Sequence, residues 1–442
     1  MGNKKTTVLS GALVAAVTLV LSACGGGGGG ATGEVAAPPS DPKGVSGEIK
    51  VLTQRTDLVQ KGVMKAYAAE FNKIYPKVKV SFDGITDYEG EVKIRMNAKA
   101  YGDVLFIPGA VAKNDYPKFF APLGTTAELS SKYRFGDKAE VDGKVYGIAQ
   151  FGTANGFVYN KALWKKAGIT AWPTTPQEFL AGLKAIKDKT GATPYYTNFK
   201  DGWPLVQWTA NNGSVGCDAN ASNKLAGPVS PWKEGGELRA IDGLLYDIAK
   251  RGLSEKDPTT TNWETSKTLL AEGRIATMML GSWSITQMRG AAVDAGLKAD
   301  DIGFMPFPVQ RGGKFCAAVV SDYQQAVSVY SENKPAARAW VDWFTEKSGF
   351  SEKEGVVSAV KSAPMPTTLK DFVDNDVTFF DRSEAGTAAV NDIDDAAEIG
   401  LNKPDYRQKL IDTARGAAKG SAEDFFADLN KRWDEAAKTA GS

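Results

Sequence analysis

The sequence predicts an α/β fold of two lobes between which the chain crosses several times. Strand and helix patterns alternate at the start of the chain, the alternation is interrupted near residue 150 and then resumes, and the C-terminal part is mostly helical. Interrupted runs of β/α units are typical of two packed α/β bodies. The length of 442 residues is sufficient for two ordinary domains, and we find no internal repeat.

The first elements form a βαβ unit. Alternating apolar residues predict a strand at 47–53, a helical spacing of apolar residues begins at Val63, and alternation returns at 78–82. A strand, a helix and a strand within about 35 residues predict a parallel sheet. A second helical stretch around Val92 leads into the apolar run 103–107, which is typical of a buried parallel strand.

Residues 146–152 are loop-like and predict a crossing between the lobes. A short strand is expected at 157–159, and Asn160 is suited to cap a helix that Gly168 closes. The next helix is expected to begin with Thr175 as N-cap and Glu178 completing a capping box. The remaining predicted elements are a helix at 263–273, a buried strand at 274–280, an extended segment at 302–308, a β pair of 317–320 with 325–329, a helix at 335–344 and a helix from 405 to the C-terminus.

The N-terminus predicts export. A positive start with Lys4 and Lys5 precedes a short apolar run that ends in small residues. This run is shorter than the roughly 20 residues of a membrane-spanning helix, so we expect residues 1–23 to be a signal peptide. Residues 21–24 (LSAC) resemble the lipobox of bacterial lipoproteins, which implies cleavage before Cys24 and a lipid on its thiol. An ordinary signal peptide with an accidental cysteine is the alternative.

Residues 24–46 predict a flexible tether. Glycine, alanine and proline dominate this segment, and such a composition cannot bury enough apolar surface to fold. About 22 residues of glycine-rich coil reach about 25 Å root-mean-square. We therefore expect an exported protein that its lipid anchor holds at the outer face of the cell membrane.

Composition excludes several classes of function. Removing the predicted signal changes the formal net charge from +1 to about −1, and nothing indicates nucleic acid as a partner. Histidine is absent, which excludes Ser-His-Asp and Cys-His catalysis and the commonest zinc sites, and we expect no cofactor and no metal. Cys217 and Cys316 can pair in an exported protein, but we assign them to different lobes and favour two small buried residues.

Several separated stretches resemble one family in their order and spacing. The family is the bacterial extracellular solute-binding proteins of the maltose-binding type, which serve ABC importers. No single stretch is decisive, and the ordered set extends over residues of about 47 to 440. The stretches are 70–80 (EFNKIYPKVKV), 146–148 (YGI), 159–169 (YNKALWKKAGI), 173–179 (PTTPQEF), 272–283 (EGRIATMMLGSW) and 303–308 (GFMPFP).

The resemblance implies a periplasmic-binding-protein-like fold with a hinged cleft between the lobes. It implies a protein, not an enzyme, that captures a mono- or oligosaccharide by closing on it and delivers it to the permease of an ABC transporter. We expect a monomer, and the sequence does not assign the sugar. The expected lobes are 47–150, completed by about 312–358, and 151–311, completed by about 359–442.

Candidate ligand-binding residues follow the predicted strands, because ligands of open α/β sheets lie beyond the carboxyl ends of the strands. Sugar hydroxyls both donate and accept hydrogen bonds, and the side chains of Asp, Asn, Gln and Arg can form hydrogen bonds with them. Arg55 and Asp57 can also form an ordinary surface pair. The candidates in these loops are Gln54, Arg55, Thr56, Asp57, Asp87 and Tyr88.

Aromatic side chains provide the second set of candidates, because the C–H face of a sugar packs on a flat ring. Trp203 and Trp208 lie in a Gly/Pro/Asn-rich stretch, and the family counterpart of Trp283 commonly lines the cleft. Packing in the hinge or core is the alternative for each tryptophan. Tyr323, Phe151 and Asn155 are further candidates, and the last two border the first crossing.

Other ligands and an enzyme remain as alternatives. Adjacent Tyr195 and Tyr196 are typical of iron-binding relatives, but no histidine is available to complete such a site. A polyamine would require several carboxylates, for which Asp57 and Asp87 are the candidates, and a peptide ligand is also open. An exported glycoside hydrolase would require two carboxylates about 5–9.5 Å apart.

Overall fold

Two β-sheets and the helices packed on them organise the chain. The computed structural model describes residues 36–440. The predicted signal peptide 1–23, the predicted lipidation site Cys24 and residues 25–35 of the predicted tether lie outside the described residues.

The strands and helices follow one another in chain order. The strands are β1 (Ser46–Thr53), β2 (Lys77–Gly84), β3 (Val104–Phe106), β4 (Gly124–Thr125), β5 (Glu140–Val141), β6 (Lys144–Val145), β7 (Ile148–Ala149), β8 (Gly152–Asn160), β9 (Thr277–Gly281), β10 (Ile302–Met305), β11 (Gln310–Arg311), β12 (Lys314–Ser321), β13 (Gln324–Val327) and β14 (Thr378–Asp381). The helices are α1 (Thr56–Gln60), α2 (Val63–Asn72), α3 (Tyr88–Asn97), α4 (Tyr116–Phe119), α5 (Thr126–Lys132), α6 (Lys161–Lys166), α7 (Pro176–Thr190), α8 (Trp203–Val206), α9 (Glu237–Lys250), α10 (Trp263–Ala271), α11 (Ser284–Asp294), α12 (Lys334–Glu346), α13 (Phe350–Glu354), α14 (Lys370–Asp374), α15 (Thr387–Ala397), α16 (Asp405–Arg415) and α17 (Ala422–Ala440).

The first sheet has the strand order β2-β1-β3-β13-β7. β1 pairs in parallel with β2 along its whole length and also with β3, whereas β13 is antiparallel to its neighbours β3 and β7. The βαβ prediction for the start of the chain is therefore confirmed. Helices α2 and α12 meet on this sheet, where the rings of Phe71 and Trp340 lie 5.2 Å apart between centroids in a hydrophobic core that we call the first cluster.

The second sheet has the order β10-β8-β12-β11, with β9 also paired to β8 and β14 to β12. Successive residues of a strand point to opposite faces. Accordingly, Phe157 of β8 lies in a second cluster with α7, α9 and α16, and Val158 lies in a third cluster with α11 and β10. Both faces of β8 are covered, which agrees with its lack of charged residues. A small sheet of β4, β6 and β5 completes the architecture.

Three segments of chain connect the first sheet and its helices with the second sheet, and they lie side by side. The first joins β7 to β8, the second joins β12 to β13, and the third follows α13. Gly152 is the common neighbour: it pairs with Ser321 of the second segment and exchanges two backbone hydrogen bonds with Val357 of the third. We call this arrangement the crossing. The prediction that 146–152 passes between the two halves of the molecule agrees with it.

The predicted β pair of 317–320 with 325–329 is wrong. β12 pairs with β8, β11 and β14 in the second sheet, whereas β13 pairs with β3 and β7 in the first. The two strands are separated by the crossing residues Asp322 and Tyr323, so adjacency in sequence does not become pairing. Residues 314–321, which we assigned to the first lobe, therefore lie in the second sheet.

Two local predictions also differ from the structure. The helix expected from 405 onward is two helices, because α16 ends at Gly416 in the left-handed conformation, with φ of 80°. The capping box at Thr175 is only half formed. The backbone N–H of Glu178 donates to the Thr175 hydroxyl at 3.2 Å, but the Glu178 carboxylate accepts from the N–H and hydroxyl of Thr174 instead.

The last part of the predicted tether packs against the folded body. Ala36 is only 2% exposed, its N–H donates to the carbonyl of Pro122 at 2.9 Å, and its carbonyl accepts from Arg338 at 2.7 Å. Val45 is buried in the first cluster. Residues 36–45 therefore belong to the body that includes the first sheet. Composition did not predict that residues 36–45 pack on the body, because the contacts are few: the backbone of Ala36 and the side chains of Ala36 and Val45.

Cys217 and Cys316 form a disulfide, with their Cα atoms 5.5 Å apart. The expectation of two unpaired buried residues is wrong, and it followed from placing 312–358 in the first lobe. Cys316 lies on β12 in the second sheet, beside the loop that carries Cys217. Within residues 36–440, no helix is long and apolar enough to cross a membrane.

Candidate ligand-binding site

The end of β9 places Trp283 at the junction of the two sheets. A Cβ atom on Gly281 would lie 2.5 Å from Nε1 of Trp283, so only glycine lets the indole fold back over the strand end. Trp283 is half-buried, is the N-cap residue of α11, and packs against both the first and the third cluster. Glycine is therefore required two residues before Trp283 for steric reasons. The indole of Trp283 lies between the first and the third cluster.

Three tryptophans surround this position. The ring centroids of Trp203 and Trp283 lie 5.9 Å apart, those of Trp263 and Trp283 lie 5.8 Å apart, and those of Trp203 and Trp263 lie 4.9 Å apart. They come from different elements, because Trp203 starts α8 and Trp263 starts α10. Trp203 is the most open of them, at 37% exposed. We call this group the tryptophan wall.

Asn155 is the polar neighbour of the wall. It pairs with Gly281 across β8 and β9, and residues directly opposite in an antiparallel pair share one face of the sheet. Asn155 is 1% exposed, yet neither its amide nitrogen nor its amide oxygen has a hydrogen-bond partner within the protein. A buried amide without partners costs free energy, and a ligand with hydroxyl groups would satisfy it.

Arg55 is held on both sides by carboxylates. Its Nε and Nη2 donate to Asp57 at 2.9 and 2.8 Å, and its Nη1 donates to Glu354 at 2.7 Å. Burial would lower the pKa of Arg55, but the bonds and charges of Asp57 and Glu354 outweigh it and raise the pKa further. Burial would raise the pKa of Asp57, but Arg55 holds it below its usual value. The Arg55 charge is therefore neutralised within the protein.

Glu354 links this ion pair to the wall. It is the last residue of α13, directly before the third crossing segment, and its carbonyl accepts from the hydroxyl of Thr286 at 2.8 Å. Thr286 lies in the first turn of α11, which begins after Trp283. The loop after β1 and the start of α11 are thus joined through Glu354.

Tyr323 lies in the second crossing segment and is half-buried. Its hydroxyl donates to the Glu89 carboxylate at 2.8 Å, and the same carboxylate accepts from the N–H of Gly109 at 2.9 Å. Burial and then the charge of Glu89 raise the pKa of Tyr323. The preceding residue, Asp322, has its pKa raised by burial despite the nearby cations Lys138 and Arg55.

Several predicted site residues make structural contacts within the protein. Trp208 is fully buried, and its indole N–H donates to Tyr195, so it belongs to the core of the second cluster. Tyr88 is buried and its hydroxyl accepts from the N–H of Phe106, and Asp87 is the N-cap of α3. Phe151 packs in the first cluster beside Phe350. None of these contacts involves the tryptophan wall.

Gln54 and Thr56 flank Arg55 at the end of β1. The side-chain oxygen of Gln54 is buried without a partner, and Thr56 packs its Cα against Gly84. A cavity of about 10 Å³ lies beside them, lined by residues that include Arg55 and Gln150. This volume is about the minimum for one water molecule, which would reach the unpartnered oxygen of Gln150.

Another cavity, of about 380 Å³, lies between α5 and α12, and none of the predicted site residues lines it. In the described part of the chain, no cluster of His, Cys, Asp and Glu is arranged to hold a metal. The hydroxyl of Tyr195 accepts from Trp208 and from the N–H of Met279, and that of Tyr196 accepts from Asn262. The hydroxyls of both tyrosines therefore accept hydrogen bonds from other residues of the protein.

Trp263 and Glu354 contact candidate site residues, but sequence reasoning did not name them. Trp263 opens a regular helix, so its spacing is that of a core residue. Glu354 lies in a charged surface-like stretch 299 positions from its partner Arg55. The only local signal for Trp263 is its place directly after Asn262, which caps α10 and so sets the indole at an exposed helix start.

The chain is similar to known proteins in both sequence and fold. The family model described as bacterial extracellular solute-binding protein matches residues 56–349. The protein BlMnBP1 of Bifidobacterium animalis subsp. lactis, a binding protein of an ABC transporter solved with mannobiose, is 31% identical with a TM-score of 0.84, over 93% of this chain and 100% of that chain. The manno-oligosaccharide-specific BlMnBP2 of the same organism, solved with mannotriose, is 30% identical with a TM-score of 0.83, over 90% and 96%.

A shorter match is to the diacetylchitobiose binding protein DasA of Streptomyces coelicolor. It is 45% identical over 58 residues, which are 13% of this chain and 14% of that protein. This alignment covers only about one seventh of DasA. It is therefore weaker evidence for the family and fold of the chain than the matches over nearly the full length. Together the likenesses confirm the expected two-lobed, periplasmic-binding-protein-like α/β fold.

Proposed function

The chain belongs to the bacterial extracellular solute-binding proteins, and from this premise we propose that it captures a neutral oligosaccharide at the tryptophan wall. The captured sugar is delivered to the permease of an ABC transporter. The two relatives reported at about 30% identity were solved with mannobiose and mannotriose, which makes mannosides the first ligands to test.

One observation carries the proposal: the buried, unpartnered Asn155 pairs with Gly281, and the indole of Trp283 folds over that same Gly281. Trp283 supplies a flat apolar surface for the C–H face of a sugar ring. Asn155 supplies a donor and an acceptor that nothing in the protein uses, which matches adjacent hydroxyl groups. A ligand bound here is held by an apolar and a polar contact at once.

The charge balance supports an uncharged ligand. The one cation that we expected to meet a ligand, Arg55, is saturated by Asp57 and Glu354. Unpartnered side-chain atoms near the crossing include those of the Gln150, Asn155 and Gln324 amides and of the Ser321 hydroxyl. Amides favour neutral hydroxyl-rich ligands over acids or polyamines, which would need opposite charges.

The crossing supports closure of two lobes about a hinge. We propose that the lobes are divided at the crossing, with residues 36–149 and 324–356 on one side and most of the remainder on the other. The crossing segments are few and lie together near Gly152, so a rotation there leaves the contacts within each half unchanged.

The protein acts outside the cell membrane. Family membership supports export, and we propose that residues 1–23 are a signal peptide and that Cys24 carries the lipid anchor. The protein then works as a non-enzymatic, monomeric receptor beside its permease. Because residues 36–45 pack on the body, the proposed tether is shorter than the 24–46 expected from composition and ends before residue 36.

A thermal-shift screen of the mature chain tests the proposal. Neutral mono-, di- and trisaccharides of mannose, glucose and N-acetylglucosamine are compared with a uronic acid and with spermidine. A ligand at 100 times its Kd stabilises the protein by about 2.7 kcal/mol, which raises Tm measurably. Stabilisation by spermidine or the uronic acid alone would contradict the proposal, as would turnover of chromogenic glycosides.

A further inference from the structure

The cavity of about 380 Å³ between α5 and α12 has the size of a small-molecule site, since such sites measure about 300–1,000 Å³. Helix α12 packs on strands β1 and β13, so the cavity belongs to the half of the molecule that contains the first sheet. Neither the tryptophan wall nor the crossing residues Gly152, Ser321 and Val357 line it. A ligand bound here would therefore not occupy the sugar site.

Much of the cavity wall is apolar and aromatic. Leu123, Leu129, Tyr133 and Trp343 line it, and each of them is less than a tenth exposed. Tyr75 also lines it and is half-buried. A ligand with an apolar body would cover these side chains, and aromatic rings additionally favour a cation.

Helix α12 supplies a row of charges to the same cavity. Arg338, Asp342 and Glu346 are four residues apart and therefore lie on one face of the helix. Arg338 is 2% exposed, and its Nε donates to Asp342 at 2.8 Å. Its Nη1 donates to the carbonyls of Ala36 and Leu123. These bonds fix the guanidinium, but its Nη2 has no hydrogen-bond partner in the described part of the chain and remains a donor for a ligand.

The carboxylates of Asp342 and Glu346 each have one unused oxygen. Oδ1 of Asp342 accepts from Arg338, and Oε1 of Glu346 accepts from Lys132 and from the hydroxyl of Tyr133. Oδ2 of Asp342 and Oε2 of Glu346 have no partner among the residues that the structure describes. Two acceptors one helical turn apart are therefore open to a ligand.

The electrostatic environment favours an ammonium beside these two oxygens. Burial raises the pKa of Asp342 despite the attraction of Arg338. Burial and then the charges of Asp342 and Glu346 raise the pKa of Tyr75. Both shifts indicate that more positive charge near the carboxylates would stabilise them, and a ligand ammonium supplies it through charge-assisted hydrogen bonds.

The charges around the cavity are nevertheless balanced. Three cations and three carboxylates line it: Lys132, Arg338 and Lys347, and Glu128, Asp342 and Glu346. Glu128 is used in the capping box of α5. Lys347 is exposed and has no ion pair within the described residues. A ligand with a single charge would leave the opposite set unmatched, whereas a zwitterion matches both.

We propose that this cavity is a second binding site, which takes a free α-amino acid with an apolar side chain. The ammonium of the ligand lies between the unused oxygens of Asp342 and Glu346, and its carboxylate lies beside Nη2 of Arg338 and the ammonium of Lys347. An α-amino acid carries its two charges on one carbon, which matches the direct contact of Arg338 with Asp342 in the wall. Its apolar side chain packs on the apolar part of the wall. The site goes beyond the proposed function and does not depend on it.

Calorimetric titration of the mature chain with matched ligand series tests the proposal. The probes are leucine and phenylalanine, each with its N-acetyl derivative, which lacks the ammonium, and its amide, which lacks the carboxylate. Titration up to about 10 mM covers sites of millimolar Kd, and removal of either charge is expected to weaken binding at least about tenfold. Failure of both free amino acids to bind overturns the proposal, as does equal binding of all three members of a series.

Variants locate the bound amino acid. Asp342→Asn keeps an oxygen acceptor for Arg338 but removes the charge, and should weaken binding of both free amino acids at least about fivefold. Lys347→Gln should weaken the free amino acids and leave the amides unchanged. Asp188→Asn, which removes a carboxylate from the exposed pair Lys184–Asp188 of α7, is the control and leaves every affinity unchanged. Binding that survives both cavity variants overturns the proposal.

Competition separates this site from the sugar site. We expect leucine to bind equally well with and without saturating mannotriose, and mannotriose to bind Asp342→Asn as it binds the wild type. Displacement of leucine by mannotriose would place both ligands in one site and overturn the second site. A wild type that binds leucine but none of the sugars overturns the proposed function and leaves the second site standing.

Discussion

Nη1 of Arg55 donates to the carboxylate of Glu354 at 2.7 Å, although 299 positions separate the two residues in the chain. The bond joins the loop after β1 to the residue that precedes the third crossing segment. Because Asp57 holds the other side of the same guanidinium, Arg55 braces the loop after β1 against the end of α13.

Arg55 and Glu354 are expected to show a measurable coupling energy in the free energy of unfolding. In a double-mutant cycle with Arg55→Gln and Glu354→Gln, we expect about 1 kcal/mol, because each side chain is only 21% exposed and the bond is short. The exposed pair Glu70–Lys73 is the matched control and should give a value near zero. Urea denaturation measures both cycles, and equal coupling in the two would argue against the brace.

The disulfide is expected to stabilise the second sheet strongly. Replacing Cys217 and Cys316 together by serine should lower the free energy of unfolding by about 4 kcal/mol, because the bridge closes a segment of 99 residues. Guanidinium denaturation of the variant measures this, with reduced wild-type protein as a second comparison. An unchanged midpoint would mean that the bridge is not formed or contributes nothing.

Asp322 is expected to make stability depend on pH. Its folded-state pKa is raised by burial, even though Lys138 and Arg55 favour the ionised form, so ionisation destabilises the native state. This cost is absent below the unfolded-state pKa of about 3.9 and is complete above the raised folded-state pKa.

The variant Asp322→Asn removes that cost. Its Tm should exceed that of the wild type by roughly 2–4 °C at pH 7, and the difference should shrink as the pH falls toward about 4. Thermal melts by circular dichroism across this range provide the measurement. If the variant is less stable than the wild type at pH 7, the attraction of Lys138 and Arg55 to the Asp322 carboxylate outweighs the cost of burying its charge, which contradicts this prediction.

Cys24→Ser tests the proposed anchor in cells. The wild type should partition into the detergent phase of Triton X-114, because a lipidated thiol carries enough acyl chain for stable anchoring, whereas the variant should remain in the aqueous phase. Equal partitioning of the two proteins would be incompatible with lipidation at this residue.

Local patterns were sufficient for elements whose partners are close in sequence. β1, α2 and β2 follow one another directly, so alternation and helical spacing predicted the parallel unit. β12 and β13 could not be placed in the same way, because each pairs with a strand more than a hundred residues away. In the sequence, the only local sign of the crossing between β12 and β13 is a short polar segment.

The site shows the same limit. Trp283 became a candidate because Gly281 and Ser282 accompany it in a family pattern, and Asn155 because it borders the crossing; both stay predictions. Trp208 was assigned to the ligand because its surroundings are rich in glycine and asparagine, but a buried helical turn at Gln207–Asn211 carries it into the core. Trp263 was missed because its contact with Trp203 depends on tertiary packing.

The most direct measurement is calorimetric titration of the mature protein and its Trp283→Ala variant with neutral oligosaccharides, beginning with mannobiose and mannotriose. We expect one saturable site per chain in the wild type, and at least a tenfold loss of affinity in a variant that keeps its fold by circular dichroism. No binding of any sugar by the wild type, or equal binding by both proteins, would contradict the account.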